Sequence, residues 1–186
     1  MKKMKQGRKT RYTQMVLQDS LVELMKQKPI AKITIKELCE NADINRTTFY
    51  AHYTDQYDLL QKMEEECLSY AREAISNLIG EKDQDVMMKL LEEIFQFFID
   101  NRNHIQVLMS EQGDINFQKQ LFAMIYEFCG IAPDSGKNAG MGTKEFYFVF
   151  VVSGSVGLIQ HWLKDDAMKS AREMAEIIYN VAGLVR

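Results

Sequence analysis

A group of polar side chains between residues 45 and 52 has the chemistry that recognises DNA. An arginine pairs through two hydrogen bonds with guanine, an asparagine pairs similarly with adenine, and a threonine offers a hydroxyl and a methyl group to thymine. Hydroxyl, phenol and imidazole groups also suit phosphate oxygens, which position a protein without reading the sequence. For each residue taken singly, a polar helix face that is merely hydrated is the alternative. As a group, we predict DNA-binding roles for Thr34, Asn45, Arg46, Thr47, Thr48, Tyr50 and His52.

Two short helices are predicted to position these residues. Thr34 and Glu37 form a Thr-x-x-Glu capping box, in which the hydroxyl and the carboxylate each accept a hydrogen bond from a free backbone amide. A helix is therefore predicted from Ile35 to about Asn41. Residues 42–44 suit a tight turn, and Asn45 suits the N-cap of a second helix. Two short helices joined in this way form a helix-turn-helix, and the start of the second helix enters the major groove.

Residues 33–63 resemble the DNA-binding segment of TetR-family transcriptional regulators. The resemblance departs from the family pattern at Asp43 and Thr47, where glycine is usual or frequent, and at Gln56, where a lysine commonly contacts phosphate. Asp43 therefore predicts a strained turn, and Gln56 predicts a weaker phosphate contact. The resemblance implies a two-fold dimer in which the last two helices of each subunit pair with those of the other. It rests on Thr34, Ala42, Ile44, Asn45, Thr48, Phe49, Tyr50, His52, Tyr53, Leu59 and Leu60.

The net charge of −3 conceals two oppositely charged parts. Residues 1–53 hold 11 Lys and Arg against 5 Asp and Glu, a net charge of +6, whereas the remainder holds 12 against 21, a net charge of −9. This distribution is typical of a nucleic-acid-binding head joined to an acidic regulatory domain. We predict a DNA-binding domain over 1–53, with a disordered basic arm at 1–9, and a regulatory and dimerisation domain over 54–186.

The fold is predicted to be all-α, with a three-helix head on a helical C-terminal domain and about nine helices in total. Only two prolines occur in 186 residues, and apolar residues recur at helical spacing. A loop is predicted over 130–142, where glycines cluster. The helix predicted from Tyr57 to about Ile79 is long enough to join the head to the body mechanically. The predicted helices cover about 10–27, 35–41, 45–53, 57–79, 85–101, 102–110, 115–128, 143–164 and 170 onward.

Several classes of function lack their residue patterns. There is no His–Cys cluster of zinc spacing, no glycine-rich phosphate loop and no nucleophile-plus-base signature, so we predict no metal, no cofactor and no enzymatic activity. A small enzyme with an incidental helix-turn-helix is the rejected alternative. No signal peptide or membrane span is predicted, and the expected location is cytoplasmic. Buried free thiols are predicted for Cys39, Cys67 and Cys129, with a redox switch as the alternative for the last two.

Two sets of residues in the body are predicted to bind partners. The final two helices carry more apolar surface than one small domain easily hides, with closure of the monomer core as the alternative. The predicted dimer interface is Phe150, Gly154, Gly157, Ile177, Ile178 and Val181. Methionine and aromatic side chains also suit an adaptable ligand pocket, although they suit a plain helical core equally well. The predicted pocket is Phe95, Phe98, Met109, Phe117, Tyr126 and Tyr147.

These features together predict a dimeric transcriptional regulator. Its partners are expected to be double-stranded DNA with a palindromic operator, a second copy of the chain, and an apolar or amphipathic small-molecule effector that releases the repressor from its operator. The alternative is a TetR-like regulator or activator that is controlled by a partner protein. An empty enclosed cavity would favour the small ligand, whereas a filled body with an exposed apolar patch would favour the protein.

Overall fold

The computed structural model describes residues 2–79, 81–110, 113–128, 143–165 and 169–183. All regular structure in these ranges is helical, which confirms the predicted all-α class. A short 3-10 helix, Ile30–Lys32, lies between α1 and α2. The loop predicted over 130–142 and the thiol of Cys129 lie outside the described residues. The α-helices are α1 Lys2–Met25, α2 Ile35–Asn41, α3 Arg46–Tyr50, α4 Gln56–Ile79, α5 Gln84–Asp100, α6 Arg102–Leu108, α7 Ile115–Phe128, α8 Thr143–Lys164 and α9 Ala171–Gly183.

The chain divides into two compact units. The first unit is Met1–Leu68 together with Val107–Asp114, and the second is Ser69–Gln106 together with Ile115–Arg186. The first unit therefore contains the whole helix-turn-helix, and α4 contributes residues to both units. The core of the first unit contains Leu17, Leu21, Val22, Met25, Ile33, Leu38, Phe49, Tyr53, Leu59, Leu60 and Met63.

Helix α1 begins at Lys2 rather than near Thr10. From Lys2 onward, the structure therefore differs from the disordered arm predicted for residues 1–9. Lysine, methionine, glutamine and arginine make up most of this segment, and all four have high helix propensity. The prediction rested on the basic charge of this segment and did not weigh this propensity.

Helix α2 begins with the predicted capping box. The Thr34 hydroxyl accepts a hydrogen bond from the Glu37 amide, and the Glu37 carboxylate accepts one from the Thr34 amide. The Lys28 ammonium lies 2.6 Å from the same carboxylate and, with the Thr34 donors, lowers the pKa of Glu37 to about 2. The Ser20 hydroxyl of α1 donates to the Leu38 carbonyl over 3.0 Å, which fixes α2 against α1.

The turn between α2 and α3 is a Schellman motif centred on Asp43. The Asp43 amide donates to the Glu40 carbonyl and the Ile44 amide donates to the Cys39 carbonyl, which is the paired 5→2 and 6→1 pattern of that motif. The residue at its centre must adopt the left-handed conformation, and Asp43 has a φ of 52°. Glycine is the residue that adopts this conformation without a steric penalty. The strain predicted at Asp43 is therefore confirmed in the backbone.

The second unit is closed by contacts between α5, α6, α8 and α9. The Phe95 ring meets Trp162 edge to face, with ring centroids 5.5 Å apart, and the Trp162 indole donates to the Lys169 carbonyl. The Arg102 guanidinium donates to the carbonyls of Leu163 and Asp165, at the C-terminal end of α8, where carbonyls have no partner within the helix. A capping box of Ser170 and Glu173 is also present at the start of α9.

One carboxyl group of α4 is poorly solvated in the first unit. The Oε1 atom of Glu64 is buried and has no hydrogen-bond partner among the described residues. Burial raises the pKa of Glu64 from 4.5 to about 7, with smaller contributions from the carboxylates of Asp114 and Glu65. Ionising this group in the folded protein therefore costs stability.

Asp43→Gly is expected to leave the free energy of unfolding unchanged or to raise it slightly, because relief of the left-handed strain offsets the added freedom of the unfolded chain. Asp43→Ala retains a Cβ, and alanine tolerates the left-handed conformation less well than aspartate does, so it is expected to lower that free energy by about 1 kcal/mol. Urea denaturation of the two variants measures the difference. Ala42→Gly is the matched control, because Ala42 has a φ of −79° and gains nothing from glycine. Equal losses for Asp43→Gly and Ala42→Gly would contradict the account.

Glu64→Gln is expected to raise the free energy of unfolding at pH 8 by about 1 kcal/mol and to change it little at pH 4. A folded-state pKa above the unfolded value means that stability falls as pH rises from 4.5 to about 7, and glutamine removes that loss. The expected gain in the free energy of unfolding is smaller than the full pKa shift would give, because the side chain is only about half buried and water screens its charge. Denaturation at both pH values measures it, with Glu73→Gln as control, because Glu73 is exposed on the same helix and does not contribute to the pKa of Glu64. A stabilisation that does not depend on pH would contradict this reasoning.

Candidate nucleic-acid interface

Helix α3 is five residues long and is held at its start by Asn45. The Asn45 Oδ1 atom accepts a hydrogen bond from the Thr47 amide over 2.7 Å, which is an N-cap of the predicted kind. Phe49 is fully buried beneath the helix, and its ring packs against Tyr53 at a centroid distance of 5.7 Å. One face of α3 is thus fixed to the core, and the other is available to solvent.

The structure brings the seven predicted DNA-binding residues together in the first unit and exposes most of them. Thr48 and His52 are half-buried, and Tyr50 is 58% exposed. The remaining residues are exposed to solvent: Thr34, Asn45, Arg46 and Thr47. The first turn of α3 therefore presents a guanidinium, an amide and a hydroxyl, and Tyr50 follows one turn later.

Two of these residues also cap the N-termini of helices. The Thr34 hydroxyl accepts from one Glu37 atom and donates to another, so it is engaged in capping α2. The Oδ1 atom of Asn45 is engaged in capping α3, which leaves the amide NH2 as its remaining hydrogen-bonding group. Among the exposed residues, the side chains of Arg46, Thr47 and Tyr50 do not act as caps in the described hydrogen bonds.

The C-terminal end of α3 is held by a residue that sequence reasoning missed. The Lys62 ammonium of α4 donates to the His52 carbonyl over 3.0 Å and to the Asp58 carboxylate over 3.1 Å. It also lies 4.9 Å from the centroid of the Tyr53 ring. The spacing of Asp58 and Lys62 indicates a helical ion pair. No spacing rule, however, predicts a lysine that reaches a backbone carbonyl in the preceding turn.

A shallow cleft of about 470 Å³ adjoins the turn and the start of α3. Cys39 lies in its wall as a free, buried thiol, and burial raises its pKa. The predicted burial of Cys39 is confirmed, whereas Cys67 is half-buried and free. The cleft carries both signs of charge, and its lining is Lys36, Cys39, Glu40, Asp43, Ile44, Asn45 and Arg46.

The predicted ligand pocket is not gathered around the described clefts of the second unit. Phe95 and Phe117 are fully buried, and Phe95 packs on Phe98 with ring centroids 5.9 Å apart. Met109 belongs to the first unit. The side chains of Tyr126 and Tyr147 lie outside the described residues. The pocket therefore stays a prediction.

Two clefts of the second unit have charged linings instead. The larger, of about 550 Å³, lies between α5 and α9, and the smaller, of about 180 Å³, lies between α4 and α5. In the larger cleft Arg172 lies 3.3 Å from Glu176 and 3.8 Å from Glu92, so opposite charges face each other across the opening. Its lining is Gln84, Asp85, Met88, Lys89, Glu92, Arg172, Glu176, Tyr179 and Asn180.

Helix α8 presents an apolar face that no described residue of its own unit covers. Phe150 is 72% exposed, and a Cβ placed on Gly154 or Gly157 would meet no described atom within 4 Å. Phe146, which the prediction missed, is 62% exposed and lies one turn before Phe150 on the same face. The other residues of the predicted dimer interface are half-buried on α9: Ile177, Ile178 and Val181.

Membrane-spanning helices and metal-binding clusters are both absent from the described ranges. No helix there is long and apolar enough to cross a membrane. No three His, Cys, Asp or Glu side chains in those ranges are grouped so that they could hold a metal ion.

Comparison with known proteins agrees with this architecture. Residues 85–183 match a TetR-family model described as a transcriptional regulator C-terminal region. An uncharacterised HTH-type transcriptional regulator of Bacillus subtilis (strain 168), YxbF, is 20% identical over 173 residues. That alignment covers 91% of this chain and 44% of YxbF, so the chain spans less than half the length of this relative.

Two solved structures share the fold. A TetR transcriptional regulator from Streptococcus agalactiae 2603V has a TM-score of 0.55 and 20% identity, with 98% of this chain and 99% of that chain covered. The dihydroxyacetone kinase operon activator DhaS has a TM-score of 0.54 and 16% identity, with 93% and 96% covered. The family match covers residues 85–183, which is more than half of the sequence. The helix-turn-helix with its exposed polar residues precedes this region in the chain. The chain belongs to the TetR family of transcriptional regulators.

Proposed function

We propose that the chain is a dimeric regulator that binds a palindromic DNA operator through α3 of each subunit. The observation that carries this proposal is the exposure of Arg46, Thr47 and Tyr50 on a capped second helix within the basic end of the chain. That end, residues 1–53, has a net charge of +6, whereas the remainder has −9. Positive charge attracts the phosphate backbone, and the polar face of α3 supplies groups that read base edges.

The roles of the exposed residues follow from their donors and acceptors. Arg46 has a planar group with paired donors, which suits guanine in the major groove. Thr47 and Tyr50 suit phosphate or a thymine methyl group. Asn45 contacts DNA through its amide NH2, because its oxygen already caps the helix. Thr34, Thr48 and His52 complete the proposed interface as phosphate contacts.

The uncovered face of α8 supports the proposed dimer. Aromatic rings at 146 and 150, followed by glycines at 154 and 157, provide large apolar groups beside places where another backbone can approach closely. A two-fold dimer also has a geometric purpose, since two recognition helices meet successive major grooves only when they are about 34–36 Å apart.

We further propose that the chain acts as a repressor that a small-molecule effector releases. The family model that matches residues 85–183 describes the C-terminal region of a transcriptional regulator, which supports a regulatory role for this part of the chain. An effector works only if its affinity differs between the two states of the protein. Control by a partner protein is the second candidate, because α8 exposes an apolar face and the similar structure DhaS is described as an operon activator. Reporter transcription from the bound operator, with and without the purified regulator, distinguishes repression from activation.

Arg46→Ala is expected to weaken binding by roughly 10- to 100-fold, because a good base contact contributes about 1–3 kcal/mol. The DNA is a duplex that the wild-type protein selects from a random-sequence pool, and fluorescence anisotropy measures the affinity. A repeated selection with the variant should lose the preference for one guanine in each half-site.

Arg72→Ala is the matched control for this experiment. Arg72 is exposed on α4 but belongs to the second unit, so the same change of charge occurs away from the proposed interface. The control should bind like the wild type. Equal affinities and equal selected sequences for Arg46→Ala and wild type would refute the base-reading role of Arg46.

Phe150→Glu is expected to raise the dimer dissociation constant by about tenfold or more, because an aromatic ring that the proposed dimer would bury is replaced by a charge. Sedimentation equilibrium measures the constant, and circular dichroism should show unchanged helix content. Ile115→Glu is the matched control, since Ile115 is 63% exposed in the same unit but lies on α7. A dimer that survives Phe150→Glu, or that dissociates equally with Ile115→Glu, would exclude this face of α8 as the interface.

A further inference from the structure

We propose that Lys62 is a positioning residue for DNA recognition, which holds the end of α3 to the start of α4 without itself touching DNA. The inference rests on the proposed function, in which α3 meets the major groove. Lys62 lies on α4, ten residues after the His52 carbonyl that it binds.

Three contacts converge on the Lys62 ammonium. It donates to the His52 carbonyl, just beyond the end of α3, and to the Asp58 carboxylate one turn earlier in α4. It also lies 4.9 Å from the centroid of the Tyr53 ring, at a cation–π distance. Tyr53 is itself buried, so the ammonium is anchored against the core of the first unit.

Asp58 extends these contacts across the connection between the two helices. Its Oδ2 atom accepts a hydrogen bond from the Thr54 amide over 2.8 Å as well as from Lys62. The Thr54 amide and then Lys62 lower the pKa of Asp58, so the carboxylate stays ionised. Asp55 completes the turn by capping α4 through the amides of Tyr57 and Asp58. The connection is therefore tied at His52, Thr54 and Asp55.

A helix of five residues cannot keep its orientation alone, because nucleating a helix is costly and short helices are marginal in water. The start of α3 is fixed by Asn45, and its buried side by Phe49. Among the described contacts, the side chains of Asp58 and Lys62 join α4 to the backbone after α3, and only Lys62 binds it at His52, nearest the end of α3. Loss of this contact would let the end of α3 tilt, which displaces Arg46 and Tyr50 from their base and phosphate partners.

The charge of Lys62 is already compensated within the protein. Its side chain is 42% exposed and that of Asp58 is 24% exposed, and the two lie 3.1 Å apart. A lysine that neutralises a phosphate releases a counterion, and its removal makes the salt dependence of binding shallower. Removal of a positioning residue should leave the salt dependence of binding unchanged, so the measured salt slope separates the two roles.

The experiment compares full-length Lys62→Met, Lys62→Gln and Lys62→Arg with the wild type on the selected duplex and on a scrambled duplex. Lys26→Met is the matched control, because Lys26 is a partly exposed lysine of the same unit that also pairs with a carboxylate, that of Glu23. Anisotropy titrations over a range of salt concentrations give the affinity and the salt slope. Hydrogen exchange without DNA reports the amides of residues 51–54.

Lys62→Met is expected to bind the selected duplex at least tenfold more weakly, with an unchanged salt slope and unchanged affinity for the scrambled duplex. Its amides at 51–54 should exchange faster than in the wild type, while those of α1 should not. Lys62→Arg should restore affinity to within about threefold, because guanidinium donors replace the ammonium. If Lys62→Met does not fold, Lys62→Gln, which keeps a donor without the charge, should show a smaller loss with the same unchanged slope.

Three results would overturn the inference. A salt slope that becomes shallower by about one ion would make Lys62 a phosphate contact. Wild-type affinity in Lys62→Met and Lys62→Gln would show that α3 does not need the contact, and an equal loss in Lys26→Met would show a general effect of charge. If the wild type prefers no duplex, the proposed function fails and the DNA-positioning role with it, whereas hydrogen exchange still decides whether Lys62 holds the end of α3.

Discussion

The proposed DNA-reading surface depends on holding a five-residue helix in one orientation. Intrinsic propensity cannot stabilise so short a segment, so every contact at its ends and beneath it carries more weight than in a long helix. Helix α3 is fixed by the Schellman turn and Asn45 at its start, by Phe49 on its buried side and by Lys62 after its end. Apart from the burial of Phe49, these contacts are hydrogen bonds made by backbone amides and carbonyls. Hydrogen bonds depend on angle, so they define the orientation of the helix more sharply than apolar burial does.

Local capping patterns were predictable from sequence, and contacts between distant residues were not. The Thr34–Glu37 and Ser170–Glu173 boxes each involve residues three apart, and the starts of α2 and α9 follow from them. The strained backbone at Asp43 also followed from a residue type in a known turn. Lys62, by contrast, crosses a helix connection to reach a carbonyl, and the high pKa of Glu64 depends on burial together with Asp114, fifty positions away. No periodicity encodes such contacts.

In the second unit, residues of the same type differ in whether they are buried or exposed. Phe95 and Phe150 are both aromatic residues of predicted binding surfaces, yet one is buried against Trp162 and the other is largely exposed. Arg102 closes the end of α8 by donating to Leu163 and Asp165, so the helix that carries the exposed face ends in satisfied carbonyls. Tertiary packing therefore decides which aromatic residues form a core and which stay exposed, and sequence patterns report this only in part.

The single side-chain oxygen of Asn45 limits how this position can change during evolution. That oxygen caps α3, so a substitution that altered base preference there would also weaken the helix that presents the preference. The side chains of Arg46, Thr47 and Tyr50 do not cap the helix, so replacing them leaves its N-cap intact. Divergence of target sequence among descendants of this gene should therefore proceed through those three positions, while position 45 stays restricted to Asn, Asp, Ser or Thr.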